Sequence, residues 1–235
     1  MTDARIDHYD WSGGREAMLR FGPADGPIVV IALPLFEEAN RTRAFAVSIL
    51  RALADRGIAG VLPDMPGQGE SLIATRTATL FMMKEAYEAL VERVGAGRCY
   101  GIGLRSGALL DAFAPLRGRW YLTPQSGNEL LRDILRLLAA AGRKTDRWGL
   151  FGSEDPVEVA GNLVSPALLT ALADAEPFDE PGVPRRIVRL TTDTSPADRQ
   201  VEGSPLWRRA EPGNDMALVQ LLAEDIVDWV RACEA

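Results

Sequence analysis

The run Ile28-Val29-Val30-Ile31-Ala32-Leu33 carries no polar side chain, so neither face of it can meet water. Its β-branched content favours a strand buried on both sides. Such a strand needs helices above and below its sheet, which implies parallel pairing through β–α–β crossovers. The flanking sequence fits. Phe45, Ile49, Leu50, Leu53 and Ala54 recur at helical spacing over 41–56, with Gly57 placed as a C-cap. A second apolar strand follows over 58–63, then a helix over 79–94, a strand over 98–102 and another over 119–122. An earlier strand over 16–21 ends at the turn GPADGP.

The rhythm breaks over 124–184, where a helix over 128–141 and a second over 165–175 are separated by turn-rich, proline-punctuated sequence. Such a segment reads as a lid, about 123–184, inserted at the rim of the sheet of one domain spanning 1–235. Core patterning returns over 186–190, and a final helix runs over 214–232. The chain has 235 residues, 47% hydrophobic and 25% charged, enough for one substantial core. Its net charge of −7 argues against nucleic acid as a partner. The Arg pairs at 185–186 and 208–209 are too short to reverse that field and read as solvated surface.

The amino terminus lacks the basic-then-apolar order of a signal peptide. The longest apolar run, 28–36, falls far short of the roughly 20 residues that span a bilayer, so a cytoplasmic protein with no membrane span is expected. Cys99 and Cys233 have no metal-ligand or C-x-x-C spacing. They read as reduced and structural, and the residues imply no metal and no cofactor.

The stretch GLRSG, residues 103–107, has the form of a sharp strand-to-helix turn that presents a nucleophile at its centre, with glycines two positions either side. Arginine occupies the apex. A dinucleotide fingerprint fits poorly: glycines 101, 103 and 107 place the third one residue late, and Trp120 stands where the ribose-binding acid belongs. A tight turn without a site is the remaining plain reading.

The stretch LPLFEEANRTRAFAVSILRALADRGIAGVLPDMPGQGES resembles the front half of an α/β-hydrolase, with an oxyanion-hole loop, a helix and a D-x-x-G-x-G-x-S loop. More narrowly, LPLFEEANRTR, GLRSGALL, TPQSGNELLRDILRL, VEVAGNLVSPAL and GSPLWRRAE resemble the exosortase A system-associated hydrolase 2 family, found with exopolysaccharide and protein-sorting genes. The resemblance implies the α/β-hydrolase fold, a mainly parallel sheet with helices on both faces and a small helical lid. It places Asp193 at the acid position of a Ser-His-acid triad and makes Asp64 a structural residue.

That triad is incomplete. The base follows the acid in this superfamily, and the region 201–207 contains no histidine. The sole histidine, His8, precedes the first clear strand and reads as a solvated or capping residue. Ser106, one position past the apex, suits a helix start better than a nucleophile.

Arg105 at the apex would present a permanent charge with five donors beside the positive end of the following helix, a setting for an anion. Glu37 and Glu38 on the facing loop, or Glu211, could neutralise it or, with a raised pKa, act as a base. Asn40 could line the site or cap a helix; Trp207 could pack over the pocket or fill the core. Three readings stand: a hydrolase-like protein without a triad that binds a small anionic or acylated ligand; an unusual esterase, thioesterase or acyltransferase using Ser106 or a carboxylate; and a scaffold that binds a partner. The sequence leaves the oligomeric state open.

Overall fold

The structure, a computed structural model, describes residues 4–143 and 145–235. In chain order the elements are β1 (Arg5–Trp11), β2 (Gly14–Phe21), β3 (Ile28–Ala32), α1 (Glu37–Ala54), β4 (Ala59–Pro63), α2 (Leu80–Gly95), β5 (Cys99–Leu104) and β6 (Gly118–Leu122). Next come α3 (Gly127–Ala140), α4 (Arg147–Phe151), the hairpin β7 (Val157–Val159) and β8 (Asn162–Val164), α5 (Pro166–Leu172), β9 (Arg185–Leu190), β10 (Arg199–Val201) and α6 (Met216–Glu234). Eight strands form one sheet in the order β1-β2-β4-β3-β5-β6-β9-β10.

The strands from β4 to β10 in that order pair in parallel, and the β1–β2 hairpin adds an antiparallel edge. Every residue of β3, β4, β5 and β6 is buried, as expected of strands covered on both faces; Arg119 in β6 is the one charged residue among them. Helices α1 and α6 cover one face; α2 and the segment between β6 and β9 cover the other. No helix among the described residues is long and apolar enough to cross a membrane.

Helix starts follow their caps. Thr79, Ser126 and Asp215 each accept a backbone N–H of the first turn, and Ser126 forms a reciprocal capping box with Glu129. Helix α1 departs from expectation by starting a turn earlier, at Glu37. It has no side-chain cap: its N-cap, Phe36, sits at φ 60°. Glu37 and Glu38 therefore lie in its first turn rather than on a loop, where the helix dipole favours acids.

Two further expectations need correction. The helix expected after GLRSG is only a five-residue 3₁₀ turn, Arg105–Leu109. Pro115 and the start of β6 at Gly118 leave no room for more, so Arg105 lacks the helix end expected beside it. His8 lies inside a strand, β1, whose short alternation buries only Tyr9 and Trp11.

Candidate functional site

Strands β3, β4, β5, β6 and β9 run parallel, so their carboxyl ends share one edge of the sheet, where open α/β sheets place ligands. Three of the four non-glycine residues with positive φ among those described lie just past these ends: Phe36 at 60°, Arg105 at 54° and Thr123 at 45°. Each such conformation costs on the order of 1–3 kcal/mol. Thr123 is β-branched, for which the region is least favourable.

The turn at Arg105 is built from close backbone contacts. A Cβ on Gly107 would stand 2.3 Å from the Ala32 carbonyl oxygen and 2.7 Å from that of Leu33. One on Gly103 would stand 2.7 Å from Ala108 Cα. Only glycine fits at either position, so the elbow keeps its geometry while its apex carries a guanidinium.

Arg105 is 9% exposed, and its contacts are loose. Its Nε lies 3.3 Å from Glu38 Oε2, and its Nη2 lies 3.5 Å from Glu38 Oε1 and 3.8 Å from Asp133 Oδ2. Charge-assisted hydrogen bonds typically measure about 2.7–2.9 Å. Burial raises the Glu38 carboxyl above its ordinary range against the pull of Arg105. Asp133 is shared, accepting from Gln125 Nε2 at 2.7 Å and pairing with Arg136 at 2.9 Å. The Trp207 ring centre lies 5.1 Å from the guanidinium carbon.

Arg105 lines a cavity of about 320 Å³ with Thr123, Gln125, Asp193 and Trp207. Arg132, Arg136, Arg189 and Arg208 also line it, making five arginines against the carboxylates of Glu129, Asp133 and Asp193 in the lining and Glu38 beside Arg105. In a chain of net charge −7, this is a local excess of positive charge.

Ser106 is fully buried, and its Oγ accepts the Leu35 N–H at 2.9 Å. The hydroxyl thus ties the β3 loop to the elbow and lines neither cavity. Asp193 does line the Arg105 cavity. Burial acts to raise its pKa, but the Ser195 N–H at 3.0 Å and Arg189 at 2.6 Å outweigh that and hold it below the usual carboxylate range. No imidazole is within reach. His8 is exposed on edge strand β1, four strand positions from β5, or roughly 19 Å at about 4.8 Å per strand.

The structure disperses the other expected residues. Glu37 pairs with Arg41, whose Nη1 donates to the Trp207 carbonyl at 2.9 Å, so it supports the Trp207 segment rather than Arg105. Glu211 is exposed and lines neither cavity; the second carboxylate near Arg105 is Asp133, at 3.8 Å. Asn40 lines a separate cavity of about 550 Å³ beside the 64–71 loop. Asp64 pairs with Arg43 at 2.8 Å and accepts the Glu70 N–H, organising that loop.

The sequence reading missed Thr123, Gln125, Asp133 and Arg208. The first two were legible in principle, because the Thr123-Pro124-Gln125 segment follows a buried parallel strand directly. Chemically, a guanidinium cannot serve as nucleophile or base. What the arrangement can do is hold an anion.

No family model and no curated protein matches the chain. Solved structures do. Est1E from Butyrivibrio proteoclasticus with ferulic acid bound aligns at a TM-score of 0.68 and 15% identity, covering 96% of this chain and 99% of its own. The alpha/beta hydrolase GrgF from Penicillium sp. sh18 aligns at 0.65 and 13% identity, over 98% of each chain. The chain has the α/β-hydrolase fold. Epoxide hydrolase VrEH1 from Vigna radiata, at 0.64 and 13% identity over 97% of this chain and 98% of its own, shares it too.

Proposed function

We propose that this α/β-hydrolase-fold chain is a binding protein that holds a small anionic or acylated ligand at Arg105 and does not hydrolyse it by a Ser-His-acid triad. The observation that carries this reading is the loosely paired guanidinium on a strained elbow, facing a cavity with more arginines than carboxylates. Burying such a group is unfavourable unless it is well paired, and an anion entering the cavity supplies the missing partner. The cavity's few apolar lining residues favour the anionic end of a ligand over an acyl chain. The motif resemblance extends the proposal to a cytoplasmic role in exopolysaccharide or exosortase-associated metabolism.

The test has two parts. Short- and medium-chain p-nitrophenyl esters are expected to show no turnover above blank with wild type, Ser106→Ala or Arg105→Ser. Turnover in wild type that disappears in Ser106→Ala would establish a displaced nucleophile and overturn the proposal. Calorimetric titration with acetate is expected to show weak, saturable binding to wild type that Arg105→Ser abolishes.

A further inference from the structure

Which anion fits follows from how each of the five cavity arginines is paired. Arg136 and Arg189 are spent on close carboxylates, at 2.9 Å from Asp133 and 2.6 Å from Asp193. The other three are not. Arg105 has no carboxylate oxygen nearer than 3.3 Å, and Arg132 reaches Glu129 only at 3.8 Å. Arg208 has no carboxylate partner among the described residues, and it is exposed on the 3₁₀ turn after β10. Three under-neutralised guanidiniums therefore face one cavity from three segments of chain.

The rest of the lining points the same way. Thr123, Thr192, Thr194 and Ser195 add hydroxyls, each able to donate. A lone carboxylate has one charge and two oxygens, too few for three guanidiniums and these hydroxyls. A phosphate monoester carries between one and a half and two negative charges at neutral pH and three terminal acceptor oxygens. Guanidinium matches it with forked donors. The apolar part of the lining is confined to Pro124, Leu190, Pro205 and Trp207, so whatever the phosphate is attached to must itself be small and polar.

We infer that the Arg105 cavity is a site for a small phosphate monoester, bound between Arg105 at its floor and Arg132 and Arg208 on its walls. This deepens the anion-binding reading and rests on it.

The experiment is calorimetric titration at fixed ionic strength with inorganic phosphate, glucose 6-phosphate and acetate, on wild type, Arg208→Met and Arg105→Met. Arg208 is exposed, so its replacement leaves the fold intact. Both phosphates are expected to bind wild type about tenfold or more tighter than acetate, the effect of one additional charge-assisted contact. Arg208→Met should weaken the two phosphates several-fold more than acetate and so erase most of that preference, and Arg105→Met should abolish all three. Equal affinity for phosphate and acetate would overturn the phosphate inference and leave the anion reading standing. No binding of any probe would overturn both. Phosphate binding untouched by either substitution would place the anion elsewhere and overturn the inference.

Discussion

Arg105 and Arg119 stand at opposite edges of the sheet, on neighbouring strands, and each meets a carboxylate. Arg119, near the start of β6, is sealed: it is 2% exposed, and its Nη2 donates to the carbonyls of Asp111 and Ala114 at 3.1 Å. The centre of the Phe178 ring lies 3.5 Å from its guanidinium carbon. Its partner Asp111 also accepts the Tyr121 hydroxyl on both oxygens, at 3.0 and 2.9 Å. Neither residue lines either of the two cavities described above. Arg119 Nε stands 3.5 Å from Asp111, no closer than Arg105 stands to Glu38; what sets Arg105 apart is a strained backbone, part-exposed carboxylates and open space in front of it. The same ion-pair chemistry thus yields scaffold where the surroundings close over it and a site where they do not.

Stability should separate the two most sharply. Arg119→Met leaves Asp111 buried without its cation and is expected to cost about 3–5 kcal/mol, whereas Arg105→Met leaves Glu38 and Asp133, both part-exposed and open to water, and should cost far less. Urea unfolding of both variants checks this. Equal losses would make Arg105 a second structural arginine.

The next effect is a pH dependence that is largest at the sealed pair. Burial pushes the Asp111 carboxyl up to about 6 despite Arg119 and the Tyr121 hydroxyl, while in the unfolded chain an aspartate titrates near 3.9. The folded protein therefore holds this proton more tightly. The stability it contributes is fully present below about pH 4 and is lost as pH rises to about 6, by at most roughly 3 kcal/mol. Wild type should lose that much relative to Asp111→Asn between pH 4 and 7. A constant difference between the two would show that Asp111 stays ionised throughout.

The smallest expected effect is at the elbow. Ser106→Ala removes the acceptor of the buried Leu35 N–H and should lower stability by about 1–2 kcal/mol with anion binding retained. Loss of binding at unchanged stability would assign the hydroxyl to the ligand instead.

The sheet was legible because Ile28 to Leu33 and its neighbouring runs have no polar face to present, and the elbow because its two glycines are demanded by backbone contact. The charge on the apex was legible too, since the spacing of the two glycines puts Arg105 there. Its neighbours were harder to foresee. Asp133 reaches Arg105 from α3, a helix in the segment between β6 and β9, and no local pattern reports which face of that helix turns toward the sheet edge. Glu211 failed in the opposite way: sequence order brought it near the last strand, but the exposed loop carries it outward. The strand holding His8 was missed because an edge strand buries only alternate residues, and here only two of them.

The central claim is that Arg105 is open to an anion and Arg119 is not. Side-chain Nε–Hε NMR, with the two arginines assigned by substitution, follows both in one titration with inorganic phosphate. The Arg105 resonance is expected to shift saturably while that of Arg119 stays fixed. An Arg105 resonance that does not move at phosphate concentrations that saturate the protein's binding would contradict the claim.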